Sequence, residues 1–201
     1  ALTGYDPAAR NTLNALRTAA ADSMLEATYS SLFDQAYGGS TREALDAYYE
    51  FSGALTGVTL STAVPAGNNL ASSLAIVARV ANAKGKLGAK RQIFFVQIGG
   101  WDHHAELINN QNTMLATVSS AVNFFWNALN EVGLQNNVTL FTASDFGRTL
   151  RSNGNGSDHA WGGNQFVLGG AVAGGRVAGN RDQGYYPDFT RLSEIDTGQG
   201  R

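Results

Sequence analysis

Two short runs of mainly apolar residues, joined by a long amphipathic stretch, constrain this chain more than any other feature. The first, Gln92-Ile93-Phe94-Phe95-Val96-Gln97-Ile98, leads into Gly99-Gly100. The second, Val138-Thr139-Leu140-Phe141-Thr142, ends shortly before Asp145. Runs of this length and composition fit strands buried on both faces of a parallel sheet. Between them, residues 106–132 repeat apolar side chains at Leu115, Val118, Val122, Phe125, Leu129 and Val132, and Gly133 follows as a stop. That spacing predicts a helix. Strand, helix and strand in succession predict a right-handed βαβ unit.

The remaining segments extend this expectation. Leu13, Leu16, Ala20, Met24 and Ala27 share one helical face, with Pro7 near its start and Gly38-Gly39 as its end. Ser40-Thr41-Arg42-Glu43 matches a capping box and predicts a second helix to about Phe51. Leu70, Leu74, Val77, Ala78 and Ala81 predict a third helix from Asn69 that stops at Gly85. Phe166-Val167-Leu168 and Arg176-Val177-Ala178 read as a later strand pair, and residues 181–201 as loop. The expected fold is therefore α/β, a mostly parallel sheet flanked by helices. Residues 1–201 form a single domain fragment in this reading, mainly helical over 1–90, with the βαβ unit, strand pair and candidate metal site over 91–180. The start at Ala1 without Met and the polar end suggest a piece of something longer.

Composition narrows the function. A chain of this length buries roughly 70% of its unfolded surface, enough for one sizeable core. The formal net charge is −2 with no basic cluster, which gives no footing for nucleic acid. There is no cysteine, so disulfides, thiolate metal sites and a thiol nucleophile are excluded. No run of 18 or more apolar residues is present, so no membrane-spanning helix is expected. Neither the glycines at 169–179 nor Asp145-Phe146-Gly147 sits in the context that a nucleotide-binding loop or a kinase metal triplet requires.

Chemistry concentrates on three histidines, each next to or one residue beyond an aspartate: Asp102-His103-His104 and Asp158-His159. In extended backbone Asp102 and His104 point the same way and His103 the other. One carboxylate and two imidazoles, from Asp102, His104 and His159, suit a divalent cation with an open position. Zn²⁺ is the first choice, with Mn²⁺ and Fe²⁺ as alternatives. Asp145, after the second predicted strand, is a further ligand or catalytic candidate, because ligands gather at the carboxyl ends of parallel strands. Asp158 could orient His159. Competing structural roles stand beside these: Asp102 or Asp145 as a cap, His103 as a loop residue.

Three segments in order carry a family resemblance: Ile98-Gly99-Gly100-Trp101-Asp102-His103-His104, Ser144-Asp145-Phe146-Gly147-Arg148-Thr149, and Gly156-Ser157-Asp158-His159-Ala160-Trp161-Gly162-Gly163. With the helix Asn69–Arg79, they resemble the bacterial DUF1501 family, which is similar to the alkaline phosphatase and sulfatase superfamily and whose members usually carry a twin-arginine export signal. The resemblance implies an alkaline-phosphatase-like fold, of which this chain is the C-terminal portion, and a periplasmic or extracellular location. It implies Asp102, His104 and His159 as metal ligands, and Asp145 serving a second metal. Phosphatases follow that aspartate with His, where this chain has Phe146. Arg148 would bind an anionic ester or else serve as a salt bridge. Two functions follow as expectations. One is a metal-dependent hydrolase of phosphate or sulfate esters. The other is a non-catalytic surface, filament or binding protein, capable of self-association, with at most one structural metal.

Overall fold

A computed structural model describes residues 5–8 and 13–174. These divide into two compact units, one running to Val58 and taking in Ala83–Lys90, the other comprising Thr59–Asn82 and the chain from Arg91 onward. No described helix is long and apolar enough to cross a membrane.

The first unit is a helical hairpin of α1 (Leu13–Glu26) and α2 (Leu32–Leu55). Ser31 caps α2, its hydroxyl accepting the Asp34 N–H. The predicted break at Gly38-Gly39 does not occur, and Ser40–Glu43 lies inside the helix. The cost of two interior glycines, about 1 kcal/mol each, is small against 24 residues of continuous helix. The expected apolar face of α1 is not the packed one: Leu13, Leu16 and Met24 are exposed. The buried side is polar instead. Thr18 bonds both the N–H and the carbonyl of Asp6, and Tyr5 and Arg42 both hydrogen-bond the Asp22 carboxylate. The Arg42 guanidinium, and then the Tyr5 hydroxyl, hold the Asp22 carboxyl below its ordinary value.

The second unit is built on α3 (Asn69–Asn82) and α4 (Leu107–Glu131), both close to the predicted spans. Ala71, Leu74, Ala75 and Ala78 of α3 pack against Ala121, Phe124, Phe125, Ala128 and Leu129 of α4. Fully buried alanines on both helices let the backbones approach, and the two phenylalanines fill the space that remains. Asn68 locks this pair. Its side-chain oxygen accepts the Ala71 N–H at 3.0 Å in the manner of a helix cap, and its amide donates to the Thr117 carbonyl on α4 at 2.9 Å. At the other end of α4, Glu131 accepts the N–H groups of Ser61 and Thr62 and the Thr62 hydroxyl.

The parallel sheet does not form. The structure is about 48% helical, and its strands make two short antiparallel pairs. β1 (Leu140–Phe141) pairs with β4 (Val167–Leu168), and β2 (Gly147–Ser152) pairs with β3 (Ser157–Ala160) in a hairpin. Residues 92–98 are not a strand. Val96 packs on the helical core, but Ile93 is 97% and Phe95 87% exposed. A strand requires a ladder partner, and among the described residues none runs beside this segment. With no first strand there is no βαβ unit and no alkaline-phosphatase-like sheet among the described residues. The expected partner strand at 176–178 and the loop at 181–201 lie outside the described residues.

Two measurements probe this unit. Asn68→Ala removes a cap and the part-buried tie to the Thr117 carbonyl, and should cost about 1–2 kcal/mol in denaturant unfolding. Glu131 is the second probe. Its three hydrogen bonds, the Ser61 N–H foremost, lower its pKa from 4.5 to about 2. A carboxylate depressed on folding stabilises above its unfolded pKa, and that contribution fades as pH falls toward the folded value. Glu131→Gln should therefore be less stable than wild type at pH 7, with the gap shrinking from pH 4.5 toward about 2. A gap constant with pH would contradict this.

Candidate metal centre

The site joins a loop to a hairpin. Residues 101–106 lead into α4, and β2 and β3 present their side chains against that loop. The hairpin turn is Asn153-Gly154-Asn155-Gly156, a sequence suited to tight reversal, with Gly154 at φ +113°. Asn153 organises the turn by accepting the N–H groups of Asn155 and Gly156. Two glycines allow the pieces to meet. A Cβ on Gly156 would lie 2.4 Å from the His104 carbonyl oxygen, and one on Gly147 would lie 1.6 Å from that of Gly162. Only a residue without a side chain fits at either place.

Polar bonds then clamp the loop along its length. Arg148 donates to the Trp101 carbonyl at 3.0 Å, to Asp102 Oδ1 at 3.1 Å, and to the Ser157 carbonyl. Asn153 donates to the His104 carbonyl at 3.1 Å. Asn155 bonds the Glu106 carboxylate through its side chain, and its carbonyl accepts the Leu107 N–H. Glu106 itself has φ +51°, rare for a side-chain-bearing residue, so the turn into α4 is held in a conformation it would not choose freely.

Within this frame Asp102 Oδ1 is the centre. His159 Nε2 lies 2.7 Å from it and His104 Nδ1 2.9 Å. The ligand atoms of the three residues fall within 4.8 Å of one another. The imidazole rings are 4.9 Å apart and tilted by 38°. The hydrogen bond from His159 is the foremost cause that holds the Asp102 carboxyl below its ordinary value, and the nearby His104 and Arg148 act in the same direction. One carboxylate oxygen and two imidazole nitrogens are the donor set of a Zn²⁺-type site. In a tetrahedral set with bonds near 2.0–2.1 Å, donors sit about 3.3 Å apart, so the two contacts to Asp102 need to open by about half an ångström, while the two imidazole nitrogens, within 4.8 Å of each other, need only settle to the same spacing. The donors fit a divalent cation.

Other predicted residues are placed differently. Asp145 is exposed and is not among the clustered donors, and Phe146 after it stacks on the His159 ring. Arg148, whose side chain is only 13% exposed, is committed to the loop and Asp102, the salt-bridge role. Its guanidinium is turned into the protein. His103 stands outside the cluster with its ring 6.5 Å from Trp101. Asp158 accepts a bond from Asn153 and is not among the hydrogen-bond partners of His159. Sequence reasoning missed the whole hairpin, and with it Asn153, Gly147 and Gly156. Paired Asn-Gly steps between two polar-apolar runs were the signal that could have revealed it.

A loop and a hairpin offering Asp, His and His from two parts of the chain define a candidate mononuclear metal-binding protein. The chain belongs to the DUF1501 family, whose model, described as a protein of unknown function, matches residues 6–193. No curated protein and no solved structure matches it.

Gly156→Ala should force the turn away from His104 at a cost of about 1–3 kcal/mol, with the largest amide chemical-shift changes in residues 102–106. Changes confined to the turn itself would show that the contact does not position the loop.

Proposed function

We propose that the protein binds one divalent cation, Zn²⁺ foremost, through Asp102, His104 and His159, and hydrolyses phosphate or sulfate esters there. The observation that carries this reading is the convergence of the three donors on an open surface. Their side chains remain 61%, 50% and 47% exposed, which leaves room for water and an ester on the outer side. When bound, the cation would lower the pKa of a coordinated water and polarise an ester oxygen. Of the chain's own residues, Asp102 aligns both imidazoles and supplies the negative charge that favours a cation. Arg148 fixes Asp102 in place. Asp145, exposed just ahead of β2, is the carboxylate assigned to proton transfer. The choice of an anionic ester as substrate follows from what the resemblance of the sequence motifs implies, with no support from the fold. The same resemblance supports export to the periplasm or cell surface.

One observation favours a second reading, a non-catalytic binding or surface protein with a single structural metal. The Arg148 guanidinium engages Trp101, Asp102 and Ser157 through its two terminal nitrogens and its Nε is buried, so it does not offer a free fork to a phosphate or sulfate.

Metal content by plasma mass spectrometry is the first test, on protein purified without chelator. We expect near one metal per chain, lost in His104→Ala, and hydrolysis of aryl phosphates or aryl sulfates that Asp145→Ala abolishes while metal content stays unchanged. Metal-free wild type would overturn the site. Stoichiometric metal without any turnover would favour the second reading.

A further inference from the structure

The His159 ring has an unusual neighbour. Phe146 lies parallel to it, with centroids 3.9 Å apart and an interplanar angle of 14°. Phe146 in turn lies 5.5 Å from the Arg148 guanidinium, which bonds Asp102, which bonds His159. Four side chains thus form a closed ring of contacts. Each plays a different physical part.

An imidazole on a half-exposed strand has two rotatable bonds. The hydrogen bond at Nε2 fixes where one edge of the ring points, but leaves the plane free to swing about that direction. A flat aromatic face at van der Waals distance removes this freedom, since turning the ring edge-on would lose the stacking and collide with Phe146. The register explains why Phe146 is available for the task. Arg148 is opposite His159 across the hairpin, and Phe146 precedes Arg148 by two residues, so it falls diagonally next to His159. An imidazole that donates electron density to a cation becomes electron-poor, and an electron-rich phenyl face stabilises such a ring further.

We infer that Phe146 is a positioning residue of the metal centre, holding the plane of His159 so that Nε2 faces Asp102 and His104. The inference rests on the metal reading above. It assigns Phe146 no contact with metal or substrate. Its effect runs through His159, as with residues that orient metal-bound imidazoles by hydrogen bonding, where replacement costs about 10–100-fold in affinity.

The test uses Zn²⁺ and Co²⁺ alone, added to the full chain, together with proton NMR of the metal-free protein. In wild type without metal, the carbon-bound ring protons of His159 should be shifted upfield by the phenyl face; ordinary shifts would overturn the stacking and the proposal with it, whatever the variants do. Phe146→Leu keeps an apolar side chain but no flat face. It should lose about tenfold or more in Zn²⁺ affinity and show an altered Co²⁺ visible spectrum, with unchanged circular dichroism. Phe146→Tyr should restore both. Phe146→Leu binding Co²⁺ with wild-type affinity and spectrum would overturn the positioning role while leaving the metal site standing. Wild type that shows the upfield shifts but binds neither ion would overturn the metal reading, and with it the role in a metal centre.

Discussion

The guanidinium of Arg148 joins two stretches of chain that share no strand ladder. One is the loop after residue 98, the other the β2–β3 hairpin. It does so by donating to two backbone carbonyls and one carboxylate, a use to which a planar fork is suited and a lysine is not. Because the side chain is largely withdrawn from water, these bonds carry more weight than an exposed ion pair of the same length. Remove them and the bond between Asp102 and His159 is left with only the Asn153 and Asn155 contacts to hold the loop against the hairpin. Arg148 is the most buried of the ties that position the donor set, with the missing side chains of Gly147 and Gly156 granting the room for it.

The α3–α4 pair is the firm base of that arrangement. Helix α4 begins immediately after the loop that carries Asp102 and His104, so that loop is anchored at one end by a helix whose far half is deeply packed. Its entry is nonetheless irregular. Glu106 in a left-handed conformation marks where the demands of the helix and those of the hairpin conflict. The conflict is settled by Asn155, which bonds both the Glu106 side chain and the first helical N–H. Local backbone strain at such places is commonly balanced by the surroundings.

What could be read from the amino-acid order follows from the range of each interaction. Helices α3 and α4 lie within a residue or two of their predicted spans, because a 3.6-residue period repeated over 14 and 25 residues leaves little ambiguity. Asp102, His104 and His159 were recognisable from residue type, spacing and family motif. The strands were not. An apolar run such as 92–98 predicts burial, yet whether it becomes a strand depends on a neighbour that nothing local specifies. The α1 face failed for a related reason: its polar contacts are made by Thr18, to Asp6 ahead of the helix, and by Asp22, to Arg42 of α2, which no hydrophobic pattern singles out. Arg148 reads from the sequence as either an anion clamp or a salt bridge, since charge alone cannot say which way a guanidinium turns. The Phe146 stack depends on cross-strand register, which becomes apparent only once the hairpin is known.

The separation of the candidate ligands along the chain has one more consequence. Asp102 and His159 are 57 positions apart, and this protein has no cysteine with which to cross-link itself. A cation gripping both would act as a removable staple. By the loop-entropy relation used for disulfides, closing a loop of that size restricts the unfolded chain by about 4 kcal/mol. A bond that forms only when metal is present would make the persistence of the folded unit a function of metal supply, readable as a calorimetric transition that a chelator moves. The hairpin and loop would then be held more firmly in metal-rich surroundings than where the ion is scarce.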